Sequence, residues 1–240
     1  MQTEYDRTQP WVLPALAGRR TCANTAKDDW LIELVSAPDT EIRNELVARG
    51  FDFAEGLNAG MSRSLRAAAT MLREVRLLEI SIWDCVTQIV PLVAEPDYDI
   101  SHSEPRWDSL IFLTIPEDEG HRAALRSLEN IVHEAMHVQL TRLEHQIPLI
   151  ANETAMMSSP WRDHPRYLRG VLHGAYVFVC IRACLMQLSD NIQLDEGGRR
   201  YTSSRIAQIN DEIGSIDMNR LSMGLTGEGE RLVRQLLAAN

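Results

Sequence analysis

The sequence predicts a mainly α, multi-helix single domain spanning residues 1–240, with a small β-hairpin or short sheet near residues 100–116. Three observations lead there. Apolar residues recur at helical spacing through most of the chain after Thr25. The best strand-like run, Leu110-Ile111-Phe112-Leu113-Thr114-Ile115, lies in a stretch punctuated by Pro96, Pro105 and Pro116, and one strand cannot stand alone. The length of 240 residues is enough to bury one full core.

Taken in order, residues 1–24 hold two prolines and Gly18 and read as an irregular lead-in. From Thr25 a helical face forms with Trp30, Leu31, Leu34 and Val35, and a second helix from Asp39 to Arg49 ends at Gly50. Ser62 to about Leu92 reads as one long helix, stopped by Pro91. After the strand region, a helix runs from Glu119 to Glu144, and Pro148–Met157 reads as another short one. Asp163 or His164 then caps a helix that starts on Pro165 and continues to Leu188. That helix is apolar nearly all round, so it is central; Gly170 and Gly174 would let another backbone approach it. Ser203–Ile213 and Gly227–Ala239 supply two more helices.

Composition narrows the function. A net charge of −10 argues against a nucleic-acid or anionic-membrane surface. The four cysteines are too few for a disulfide scaffold; Cys180 and Cys184 read as buried free thiols. The short, proline-broken N-terminal apolar stretch is not a signal peptide, and no uninterrupted run of about eighteen apolar residues predicts a membrane span. A cytoplasmic protein is expected.

The chemistry concentrates in Ile131-Val132-His133-Glu134-Ala135-Met136-His137-Val138, an HExxH within an apolar helix. Four residues make roughly one turn, so His133 and His137 share a face and can bind one metal ion, while Glu134 projects about 100° away. Two imidazoles on a buried helix need partners for their nitrogens. A hydrogen-bonded pair of core histidines answers that need, and a metal answers it too. All seven histidines fall between residues 102 and 173. His173 lies midway along the second apolar helix and is the candidate third ligand, with a hydrogen-bonded core histidine as the alternative. Arg166 stands seven residues earlier, two helical turns, which would place it on the same face roughly 10 Å away. A dicarboxylate chelating the metal needs a guanidinium for its far end. Arg162 is the second candidate, and a surface or ion-pair role is open for both.

His133-Glu134-Ala135-Met136-His137, then Pro160-Trp161-Arg162-Asp163-His164-Pro165-Arg166, then Leu172-His173-Gly174-Ala175-Tyr176 together resemble the HExxH-type 2-oxoglutarate-dependent peptide β-hydroxylases, which tailor ribosomally made peptides. The resemblance covers about residues 125–180, with Ser101–Ile115 agreeing loosely. His164 and Tyr167 depart from the acidic residue and proline of that pattern. The resemblance implies Fe(II) held by His133, His137 and His173, with 2-oxoglutarate and O2 as co-reactants and a ribosomal precursor peptide as substrate. It implies Arg166 or Arg162 at the cosubstrate, and Glu134 orienting a ligand or water. Three imidazoles suit zinc equally, so the arginines carry the choice.

Two other readings compete. In a zinc metallopeptidase, Glu134 would activate water as general base and Glu153, sixteen residues after His137, would be the third ligand. Leu140 and Leu143 occupy the positions where a metzincin has glycine and histidine. In a non-catalytic helical accessory protein the motif would be structural.

Overall fold

The computed structural model describes residues 29–95 and 97–238; the expected lead-in over 1–24, together with Cys22, lies outside the described residues. Helices dominate and a small sheet that includes residues 101–114 accompanies them, as the pattern predicts; a second, two-stranded sheet lies at 156–167, where the pattern predicts none. The chain opens with α1 (Trp30–Glu33) and α2 (Thr40–Ala48). Gly50, at φ +89°, ends α2 where only a residue without Cβ is comfortable. Strand β1 (Asp52–Phe53) leads to α3 (Ala59–Arg73), whose first turn is capped by Asn58 accepting from the Met61 amide at 2.9 Å.

The single helix expected over 62–92 is instead three elements: α3, α4 (Arg76–Cys85) and strand β2 (Gln88–Val93). Val75 leaves helical geometry at φ −122°, ψ 59° and breaks the first pair. Beyond Cys85, the run Gln88-Ile89-Val90-Pro91-Leu92-Val93 is apolar on alternate and adjacent positions alike, so periodicity cannot separate a doubly buried strand from a buried helix. Pro91 sits inside β2 rather than stopping a helix. Its carbonyl accepts from the Ala54 amide at 3.1 Å, so its missing donor faces the β1 side, just past the end of that two-residue strand.

β3 (Ser101–Ser103) and β4 (Leu110–Thr114) complete a four-stranded sheet in the order β1-β2-β4-β3, with β2 and β4 parallel and the outer pairings antiparallel. Both faces of β4 are buried. Leu110 and Phe112 join Leu46, Val90 and Leu92 beneath α2, while Ile111 and Leu113 face the helical core.

That core is built on α5 (His121–Glu144) and α6 (Leu168–Asn191), packed against each other and flanked by α3, α4 and α7 (Glu196–Gly214). Asp195 ties the starts of α5 and α7 together: its carboxylate accepts from the amides of His121 at 2.9 Å and Gly198 at 2.7 Å. α6 has the length and mean hydropathy of a membrane span, but 83% of its most apolar window is buried inside the protein, as in a central core helix. Cys85, Cys180 and Cys184 are buried free thiols, and burial pushes the Cys85 thiol up to about 12.

Two expectations between these helices are corrected. Pro148–Met157 forms no helix: Asn152 folds it into a turn by accepting from the amides of Thr154 and Ala155, and Met156–Ser159 is strand β5. Arg162–Tyr167 is strand β6, antiparallel to β5, so α6 begins at Leu168 and neither Asp163 nor His164 caps it. The residue before a proline avoids helical geometry, and here that bias extends His164 into the hairpin. The chain closes with α8 (Met218–Ser222) and α9 (Gly227–Ala238).

Because Phe112 is fully buried between the sheet and α2, Phe112→Ala should cost about 3–5 kcal/mol in urea unfolding. A loss under about 1 kcal/mol would show that this second layer contributes little to the fold.

Candidate functional site

One face of α5 carries His133 and His137 into a cavity of about 1030 Å³. Its walls come from β3, α5, the β5–β6 hairpin and the first turns of α6. His133, Glu134, His137, His173, Arg162 and Arg166 all line it, so every residue singled out in the sequence for the oxygenase site meets at one place. Glu153 does not; it lies on an exposed turn off that wall.

The histidines are close-packed. The rings of His133 and His137 stand 4.9 Å apart, and His137 and His173 lie nearly parallel at 5.4 Å. The Nδ1 atoms of His137 and His173 are 3.2 Å apart. That is the length of an N–H···N hydrogen bond, and it also falls within the ~3.0–3.4 Å between two nitrogens that share a first-row ion at ~2.1 Å in cis or tetrahedral positions. Among the described residues, however, no three His, Cys, Asp or Glu side chains are gathered as an ion would hold them. The Nε2 of His133 lies 3.9 Å from Glu134 Oε1. Glu134 is almost wholly buried, and its Oε2 accepts a 2.5 Å hydrogen bond from the Ser103 hydroxyl on β3.

Burial sets the electrostatics. It pulls the His133 ring down to about 4, with Arg205 adding to the effect. It pulls His137 down to about 3, helped by His133, His173 and Arg166 and opposed by Glu134. The side chain of His133 is 28% exposed, but that opening faces the cavity, and dense protein surrounds the ring otherwise. Both rings are therefore neutral at physiological pH, with lone pairs available.

Arg166 reaches this place by another route than the shared helical face expected for it. It lies on β6, opposite Met157, and the two-turn stripe with His173 does not exist. Its half-buried guanidinium lies over Gly170, 3.2 Å from where a Cβ would stand. Arg162 is exposed. Other cavity arginines are ion-paired, Arg142 to Asp108 at 2.9 Å and Arg169 to Glu144 at 2.8 Å. Arg162 and Arg166 have no carboxylate at ion-pair distance among the described residues.

The glycines of α6 admit side chains, not a backbone as expected. A Cβ on Gly174 would come within 2.3 Å of the Trp161 ring. Trp161 stacks on Phe178 at 5.0 Å and donates its Nε1–H to Glu212 at 2.9 Å, while Phe178 meets His133 edge-on at 5.5 Å. The tryptophan of the Pro160-Trp161-Arg162 block and the glycine of the Leu172-His173-Gly174 block thus fit each other, one filling the space the other leaves.

Sequence reasoning missed two partners of the site. Glu144 sits 2.9 Å from His173 Nε2, and burial of its carboxyl is outweighed by hydrogen bonds and charge from His173 and Arg169, which hold it below the usual range. A signal existed: Glu144 follows His137 by seven residues, two turns on the same face. Ser103 gave none, because a sheet edge brings it to Glu134 across 31 residues.

No protein-family model matches the chain, and no curated protein matches it.

The depressed histidines make stability depend on pH in a definite direction. Their folded-state values of about 4 and about 3 lie below the ordinary 6.5, so in that interval the unfolded chain binds more protons. Stability from this source is complete above 6.5 and is lost as pH falls toward 4. Urea unfolding of the metal-free protein from pH 7.5 to about 4.5 should show a loss approaching two protons' worth of slope, and His133→Gln/His137→Gln should flatten it. A wild-type profile already flat through this range would mean that the rings protonate without cost.

Proposed function

We propose that the protein is an Fe(II)- and 2-oxoglutarate-dependent oxygenase that hydroxylates a β-carbon of a residue in a ribosomal precursor peptide. The observation that carries this reading is a ligand-spaced histidine pair, beside His133, in the same cavity as a half-buried arginine without a carboxylate partner. The donor chemistry fits the metal: buried neutral imidazoles suit Fe(II), as they suit zinc. An unpaired guanidinium in a partly desolvated wall fits the far carboxylate of 2-oxoglutarate, and hydrolysis at zinc has no evident use for it. Bound together, Fe(II), 2-oxoglutarate and O2 would convert 2-oxoglutarate to succinate and CO2 while one oxygen atom enters the peptide C–H bond.

The chain's own residues have the remaining tasks. His133, His137 and His173 would hold the ion, and Arg166 would orient the dicarboxylate beside His137, with Arg162 at the outer rim. Glu134, restrained by the Ser103 hydroxyl, would orient a ligand or water rather than carry protons for hydrolysis. Trp161 and Phe178 give the cavity an apolar wall next to His133, which would shield the reacting C–H from stray water. At about 1030 Å³ the cavity has room for a cosubstrate and a peptide side chain together. The zinc-peptidase reading keeps one supporting contact, the carboxylate of Glu134 at 3.9 Å from His133.

Anaerobic addition of Fe(II) and 2-oxoglutarate should produce a metal-to-ligand charge-transfer band, and oxygen should then yield succinate. His133→Ala or His137→Ala should abolish the band while leaving a folded protein. Glu134→Gln should lower turnover by only about 10- to 100-fold. A peptide-hydrolysing wild type that this substitution silences would hand the site to the peptidase reading.

Arg166→Ala should raise the 2-oxoglutarate requirement at least ~30-fold, since losing a charge-assisted pair from a desolvated pocket costs about 2–5 kcal/mol. Iron binding should be unchanged, and the exposed Arg162→Ala should matter less. Titrating 2-oxoglutarate into both iron-loaded variants checks this; equal indifference of the two would remove the dicarboxylate from the proposal.

A further inference from the structure

We propose that Glu144 is a positioning residue that fixes the tautomer of His173, so that this ring turns the lone pair of Nδ1 toward His137 and the cavity. As the anchor of a metal ligand, Glu144 rests on the oxygenase reading above. As a tautomer lock, it stands on contacts within the protein alone.

Glu144 is the last residue of α5, and its Oε2 lies 2.9 Å from His173 Nε2, with both side chains about nine-tenths buried at 10% and 11% exposure. Arg169, one turn before His173 on α6, reaches the same oxygen at 2.8 Å. An ionised carboxylate can only accept hydrogen bonds, so the proton of the imidazole must sit on Nε2. A neutral ring has one N–H, and Nδ1 is then a bare lone pair. That Nδ1 is the atom 3.2 Å from His137. Without the carboxylate the ring would divide between its two tautomers, and part of the population would aim an N–H where an electron pair is needed. Metal-bound histidines commonly give their second N–H to a carboxylate for this reason, and losing that partner weakens metal binding by about 10- to 100-fold.

A plain structural role would look different. Glu144 also clips the end of α5 to α6, and Arg169 shares that clip through the same oxygen. Arg169 is 44% exposed and touches neither His173 nitrogen, so removing it tests the clip without the tautomer.

The experiment compares wild type, Glu144→Leu, which has no acceptor, Glu144→Asp and Arg169→Met. Long-range ¹⁵N spectra of the metal-free proteins at pH 8 read the His173 tautomer, and optical titration with Co(II) reads metal affinity. Wild type and Arg169→Met should hold His173 as the Nε2–H form, while Glu144→Leu should populate the Nδ1–H form. The Co(II) dissociation constant should rise about 10- to 100-fold in Glu144→Leu, with partial recovery in Glu144→Asp. It should change less than about threefold in Arg169→Met, as expected for an exposed ion pair. His173 remaining wholly Nε2–H in Glu144→Leu would overturn the proposal. So would a loss of Co(II) binding in Arg169→Met as large as in Glu144→Leu, which would reduce Glu144 to a helix clip. If wild type binds neither Co(II) nor Fe(II), the oxygenase reading fails, and the tautomer spectra still decide the role of Glu144.

Discussion

The contact between α5 and α6 is the constraint on which the rest of the structure depends. Both helices are buried along most of their length, and neither could face water. Their apolar faces hold them together, and the polar strip where they meet is then forced to satisfy itself. That strip contains His137, His173 and Glu144, which pair with one another across the interface. A buried polar group without a partner costs free energy, so the packing of two apolar helices dictates the geometry of the imidazoles.

The other walls of the cavity are set against this helix pair. The sheet lays β3 beside α5, where the Ser103 hydroxyl restrains Glu134. The β5–β6 hairpin crosses the start of α6, where two glycines leave room for its side chains. Trp161 fills the space above Gly174 and stacks on Phe178, and Arg166 lies over Gly170. Three separate segments thus converge on the histidine-bearing wall, and each is held by burial or a specific polar contact rather than by chain proximity.

Charge is distributed unevenly around that wall. Arg142 and Arg169 are neutralised by Asp108 and Glu144, and Glu104 is held down to about 2, where the guanidinium and imidazole hydrogen bonds of Arg106, Arg49 and His102 outweigh its desolvation. Arg166 and Arg162 have no carboxylate at ion-pair distance among the described residues. Under the proposed function Arg166, close enough to His137 to act on its ring, would meet the carboxylate of an anion bound there.

Much of this was legible in the sequence. The helical repeat and the apolar run at Leu110–Thr114 predicted a helical body with a small sheet, because burial of one face leaves a periodic trace. His133, Glu134 and His137 were legible because they lie one turn apart on one helix, and His173 because an imidazole deep in an apolar helix needs a partner. What the tertiary structure decided are the contacts that chain distance does not encode. Gln88–Val93 is a strand because β4 lies beside it and both its faces are covered. Arg162–Tyr167 is a strand because Met156–Ser159 pairs with it, which overrode the helical reading of Pro165 and moved Arg166 off its supposed stripe while still delivering it to the cavity. Periodicity reports which face of a segment is buried; only packing decides which other segment buries it, and the partners of His173, Glu134 and Trp161 belong to that second kind of information.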